Sequence, residues 1–315
     1  MQHSNRDLAF DVLKGIGILL MITAHTLGWK HFLYPYIYTF HIPLFFLVSG
    51  YLYKPRTIQE QIKKDLRRLL IPYITITIAE IILVFIYEII FHHKILIAFY
   101  LFSNSISPIW FLLALFISKT LFNLVLANTK HFIIFPLIIS SISYWVTSIY
   151  CFRLPFCISS ATGALIFIAV GYYAKINNLI IVLKDYSWCS IPLAVFLWIN
   201  TSVFGKVDTY QNIYQLWLID VAGAIGGTYL FFRISQQIVL HCKVTLGILS
   251  KAGYYSIIIL SFHSVEFIFP QWFQILFFLH NSFIIPAILL ARFLFVYLSI
   301  KITLRVRFMR LIFSI

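Results

Sequence analysis

The chain is built from apolar runs long enough for a helix to cross a lipid bilayer, which takes roughly 20 residues. Ten such stretches follow one another, at 10–29, 32–53, 71–91, 108–127, 131–150, 157–174, 188–204, 213–232, 245–264 and 282–304. They are near-continuous rather than alternating, which favours helices over the strands of a membrane barrel. Composition agrees: 61% of the 315 residues are hydrophobic and only 11% are charged. A soluble domain has about 25% charged residues, so this chain could not cover a water-facing surface. The sequence predicts an all-α polytopic membrane bundle of about ten transmembrane helices, forming a single domain over 1–315.

The formal net charge of +14 raises nucleic acid as a partner. Position argues against it, because the basic residues cluster at the borders of the apolar runs. With the N-terminus in the cytoplasm, 17 Lys and Arg fall inside and only four outside (Lys30, Lys94, Arg153 and Lys206). An even number of spans then places both termini in the cytoplasm. The first apolar run follows Arg6, Asp7, Asp11 and Lys14 and lacks a small-residue cleavage site, so no cleavable signal peptide is expected. The four cysteines show no CxxC spacing, and no metal site is expected. Cys151 and Cys157 lie near one outer loop, where a local disulfide is one possibility.

Ionisable side chains inside spans are costly and mark functional candidates. The first span carries three: Asp11, Lys14 and His25. At about 100° per residue, Lys14 and His25 differ by roughly 20°, with Asp11 within about 60° of both. One helix stripe thus holds an acid, a cation and, ~16 Å further along, an imidazole. A plain reading makes Asp11 and Lys14 a juxtamembrane ion pair and His25 an interface residue. In the second span His41 and Pro43 sit mid-helix, where Pro43 removes a backbone donor and can kink the helix, and Ser49-Gly50 permits close helix approach. Between spans two and three, a segment over 54–70 has helically spaced charges with Ile58, Ile62, Leu66, Leu69 and Leu70 opposite. This predicts a cytoplasmic amphipathic helix. It suits anchoring to anionic lipid, or docking of a polyanionic cofactor's phosphates by Lys64, Arg67 and Arg68.

Three motifs carry a resemblance: D-x-x-K-G-I-G-I with His25 following, F-H-I-P-L-F-F-L-x-S-G-Y, and K-K-x-x-R-R-L-L-I-P-Y. Together they resemble the integral-membrane acyltransferase-3 family, in its sugar O-acetyltransferase (fucose 4-O-acetylase-like) branch. Later segments are similar in order: Pro108 to Leu112, Ala164 to Lys175, and Gly253 to Ser256 followed by His263. The resemblance implies that His25 is the catalytic base, with Lys14 as the basic residue eleven positions before it. It also implies that Lys64 and Arg67 hold the phosphates of acyl-CoA. Lys stands at two positions where relatives commonly carry Arg, which keeps the cation but not the bidentate fork. Where some relatives carry an acid, this chain reads Ser159-Ser160, so no catalytic acid is expected there.

The activity implied is transfer of an acetyl group from acetyl-CoA to a hydroxyl of a cell-surface or lipid-linked glycan sugar, at the bacterial inner (plasma) membrane. A neutral imidazole suits removal of the hydroxyl proton. Acetyl-CoA serves as acyl-donor co-substrate, with no permanently bound cofactor, and the remaining partners are the glycan acceptor and membrane lipids. His25, Lys14 and Asp11 form the expected catalytic stripe, with Lys64, Arg67 and Arg68 at the donor entrance. His41, Ser49, Trp110, Tyr255 and His263 are candidates for substrate contact; Asp220 and Glu80 are further candidates, and Glu266 and His280 are expected to face the acceptor from the outer loop. Two alternatives stand beside this: a transporter or flippase, which would also suit many spans with buried charges, and a sibling enzyme using succinyl-CoA.

Overall fold

A computed structural model describes residues 8–91, 107–266 and 284–315. Arg6, Asp7, Lys94 and His280 lie outside them. The described residues are almost wholly helical. Among the described residues, seven helices are long and apolar enough to cross a membrane, and an eighth if one bent pair counts as a single span. The all-α membrane architecture therefore holds. Two of the ten expected segments are shorter than a span.

The first is 32–53, which divides into α2 (Tyr34–Tyr38) and α3 (His41–Tyr51) after α1 (Leu8–Leu27). Pro43 has no N–H to give the Thr39 carbonyl, so the helical ladder cannot run through that point. Thr39 turns its own hydroxyl back to the Pro35 carbonyl at 2.7 Å. The second is Ile134–Tyr150, at 17 residues.

After α3 the chain enters α4 (Ile58–Asp65), whose Thr57 and Glu60 form a reciprocal capping box. The helix then widens for one π turn over Leu66–Leu70 and continues as α5 (Ile71–Phe91). The charged 54–70 segment is therefore helical from Ile58 and continuous with the third span. Next come α6 (Trp110–Asn128), α7 (Ile134–Tyr150), α8 (Ile158–Gly163), α9 (Leu165–Ile176), α10 (Leu179–Asp185) and α11 (Ser187–Phe204). A two-stranded antiparallel hairpin follows, Val207–Asp208 paired with Ile213–Tyr214. The helical span that the sequence predicts from 213 starts instead after this hairpin. Helix α12 occupies Leu218–His241. A 70° bend separates α13 (Lys243–Tyr254) from α14 (Ser256–Glu266), and α15 (Ile284–Arg305) and α16 (Arg307–Ile312) complete the chain.

Reciprocal glycines set the tightest helix contacts. A Cβ on Gly15 would lie 2.1 Å from the Leu249 carbonyl oxygen, and one on Gly253 would lie 1.8 Å from that of Asp11. Helices α1 and α13 thus meet backbone to backbone. Helices α3 and α9 repeat the device, with Gly50 against Ile168 O at 2.0 Å and Gly171 against Leu47 O at 2.1 Å. The Ser49-Gly50 pair therefore permits the close approach its small size suggested. No disulfide joins Cys151, which is exposed, to Cys157, which is buried.

Candidate active site

Helix α1 presents the stripe inferred from spacing. Lys14 Nζ pairs with Asp11 Oδ1 at 2.9 Å, and Asp11 is buried. The ion pair is therefore real, and Lys14 also opens onto a cavity of about 430 Å³. Five cations line that cavity: Lys14, Lys54, Lys64, Arg68 and Lys119. Among the described residues lining it the one acid is Asp65, which accepts from Lys119 Nζ at 2.5 Å and from the Gln61 amide. Deeper in, the walls turn apolar, with Ile18, Met21, Phe45, Phe111, Leu112 and Leu260. A basic mouth over an apolar throat fits a ligand with an anionic head and a less polar arm.

A second cavity of about 280 Å³ contains His25 and His41. Met21 and Ile42 line both cavities, so the two share a wall on α1 and α3. His41 Nδ1 lies 3.0 Å from the Ile37 carbonyl. A carbonyl only accepts, so Nδ1 carries the proton and Nε2 keeps its lone pair. Trp110, Tyr34, Tyr38 and the hairpin residues Asp208 to Gln211 form the remaining wall with Ser107 and Pro108.

Behind His25 lies a buried polar chain. The His263 ring is centred 5.4 Å from that of His25. His263 Nδ1 is 2.8 Å from Glu266 Oε1, and Arg292 Nε is 3.1 Å from the same oxygen. Arg292 Nη1 donates to Thr26 Oγ1 at 2.7 Å, one residue along from His25. Helices α1, α14 and α15 are thus tied together beside the imidazole. Glu80 accepts from Ser107 Oγ at 2.6 Å and from the Ser264 hydroxyl, adding α5 to the cluster.

The other sequence candidates divide. Ser49 lines the basic cavity, while His41 and Trp110 line the His25 cavity. Tyr255 lines neither; its ring stands edge-on to Tyr254, which faces the basic cavity. Arg67 is exposed and off the cavity wall, where its carbonyl accepts from Ser314 Oγ at 3.2 Å. Asp220 does no chemistry at the cavities: it accepts the Leu216 and Lys206 N–H groups at 2.8 and 3.3 Å and closes the base of the hairpin. Ser160 donates to the Tyr210 carbonyl at 2.6 Å, a structural use for the position without an acid.

Several site residues went unremarked in the sequence. Lys119 and Arg292 each sit alone in an apolar run, which is itself the signal for a functional or paired charge. Tyr34, Tyr38 and Asp208 carry no such mark, because only folding brings their loops over His25.

A profile described as an acyltransferase domain matches residues 7–303. The chain belongs to the acyltransferase-3 family. Among curated relatives of this family member, nodulation protein NolL of Mesorhizobium japonicum is 48% identical over 59 residues. NolL of Sinorhizobium fredii is 44% identical over the same length. Each match spans 16% of this chain and 16% of the relative's own length, so the likeness is local. No solved structure matches the chain.

Proposed function

We propose that the protein moves an acetyl group from acetyl-CoA to a hydroxyl of a cell-surface or lipid-linked glycan sugar at the bacterial plasma membrane. The single observation that carries this reading is the pair of cavities sharing a wall at Met21 and Ile42, one ringed by cations and the other holding His25. The basic cavity suits the phosphates of CoA, with Lys64, Arg68, Lys54 and Lys119 at the mouth and the pantetheine arm along the apolar throat. The cavity around His25 suits the sugar. This arrangement lets donor and acceptor approach from opposite ends without either crossing the membrane.

Transfer then follows from the residues present. Neutral His25 takes the proton of the attacking hydroxyl as its oxygen bonds to the thioester carbonyl carbon. The tetrahedral intermediate collapses with cleavage of the C–S bond, and the imidazolium returns its proton to the departing CoA thiolate. His263, 2.8 Å from Glu266 Oε1, packs its ring 5.4 Å from that of His25.

Replacing His25 with Ala is expected to abolish acyl transfer to the glycan while the protein still reaches the membrane. Mass spectrometry of surface polysaccharide reads the loss as about 42 Da per modified sugar. Unchanged acetylation in that variant would overturn the assignment of the base. An acyl mass of about 100 Da would name succinyl as the group transferred.

A further inference from the structure

The hairpin between α11 and α12 is bound into the bundle far more firmly than its length requires. Asn212, at φ +55°, donates its amide to Ser143 Oγ at 3.0 Å and to Thr147 Oγ1 at 3.1 Å on α7. Ser160 on α8 holds the Tyr210 carbonyl, and Asp220 on α12 holds the two strand ends. Gly163 leaves room for the Asn212 side chain, since a Cβ there would lie 1.8 Å from Asn212 Oδ1. Inside the turn, Gln211 N–H donates to Asp208 Oδ1 at 2.9 Å. Three helices therefore preorganise a four-residue tip over the His25 cavity.

The tip's chemistry matches a sugar ring. Tyr210 lies 5.2 Å from Trp110, their rings tilted by 48°, so the two form an aromatic corner. Tyr34 and Tyr38, stacked at 4.1 Å, supply further aromatic wall. Aromatic faces take the C–H side of a pyranose, and a carboxylate takes its hydroxyls through charge-assisted hydrogen bonds. Among the described residues lining this cavity, Asp208 is the one carboxylate, and none is Lys or Arg. Arg153, 5.9 Å from the Tyr210 ring, and Lys206 act on the Asp208 carboxylate from nearby but are not part of the lining.

We propose that the Val207–Tyr214 hairpin is the acceptor-reading element and that Asp208 selects against an acceptor carrying negative charge. A carboxylate facing a uronic or sialic acid repels it and leaves both groups desolvated without a partner. An uncharged pyranose meets no such penalty. This inference rests on the glycan-acyltransferase reading above and names the element that decides which sugar that reaction takes.

The test compares p-nitrophenyl β-glucoside with p-nitrophenyl β-glucuronide, which differ by one carboxylate, as acceptors for purified protein and acetyl-CoA. Ester product is read by mass spectrometry. The wild type is expected to favour the glucoside at least tenfold in kcat/KM. Asp208→Asn, which keeps the shape and the bond from Gln211, is expected to raise the glucoside KM about tenfold and narrow the preference to under threefold. A companion variant, Asn212→Ala, loosens the hairpin without touching the cavity and is expected to raise acceptor KM while leaving the KM for acetyl-CoA unchanged. Equal use of both glycosides, or an acceptor KM unmoved by Asp208→Asn, would overturn the role of Asp208. Wild-type protein that acylates neither glycoside nor extracted host glycan would instead overturn the underlying function, and this inference with it.

Discussion

At the residue scale, the buried Glu266–Arg292 pair ties α14 to α15 beside His25. Both side chains are almost fully buried, and a buried ion pair that loses one partner is destabilised by about 3–5 kcal/mol. Glu266→Ala is therefore expected to lower the melting temperature markedly in detergent. A double Glu266→Leu, Arg292→Met variant should recover most of that loss without recovering wild-type kcat, because His263 would still lack its partner. Asp208 allows a further expectation at this scale. Burial pushes its carboxyl above the usual carboxylate range, against the pull of the Gln211 N–H, Lys206 and Arg153. Its ionised form is the better hydrogen-bond acceptor, so acceptor KM should fall as pH rises through that raised pKa. Asp208→Asn should flatten this limb of the profile. On the basic cavity, Lys64→Ala is expected to raise the KM for acetyl-CoA about tenfold, since a hydrogen bond to a charged group contributes about 1.5–3 kcal/mol. Arg67→Ala, off the cavity wall, should change it less than threefold.

At the scale of elements, the close contacts decide what the helices can present. Helix α1 lies against α13 through Gly15 and Gly253, and α3 lies against α9 through Gly50 and Gly171. In each pair a methyl group would meet backbone rather than a movable side chain. Gly50→Ala or Gly171→Ala is expected to cost about 1–3 kcal/mol, read as a lower melting temperature. Because α3 carries both Ser49 of one cavity and His41 of the other, acyl transfer should fall with it. The break between α2 and α3 belongs to the same scale. An apolar run long enough to span reads as one helix until the missing N–H of Pro43 is counted against the Thr39 carbonyl. The hairpin at Val207–Tyr214 was equally hidden, since its residues lie beside an apolar run and its strands are two residues each. What makes it a hairpin is Asn212 in its own turn, bound to Ser143 and Thr147, with Ser160 and Asp220 reaching it from two further helices.

For the whole molecule, charge distribution carries the orientation. The cations of the first cavity belong to the end where most Lys and Arg border the spans, and Asp208 belongs to the other end. The positive-inside bias then predicts the basic cavity on the cytoplasmic side and the His25 cavity on the opposite side. Single cysteines introduced at Arg56 and at Lys206, in a background lacking the natural four, should label oppositely with a membrane-impermeant maleimide on intact cells. The 56 position is expected to be protected and the 206 position labelled. The reverse pattern would exchange the sides of the two cavities.

Hydropathy and spacing were sufficient for the membrane class, the helical architecture and the Asp11–Lys14–His25 stripe. A bilayer imposes length and polarity on each span locally, and a helix repeats at a constant angle, so both can be read along one dimension. The Ser49-Gly50 contact and the basic residues at 64 and 68 were legible for the same reason. The assignment of Arg67 to that basic face was not, because the face chosen by α4 and its π turn depends on what packs against them. The wall that the two cavities share at Met21 and Ile42 joins neighbouring helices, whereas the packing of His263 on His25, the bond from Arg292 to Thr26 and the hairpin over His25 unite residues more than a hundred positions apart. No local periodicity encodes those meetings; they arise where helices close on one another and buried polar groups must find partners.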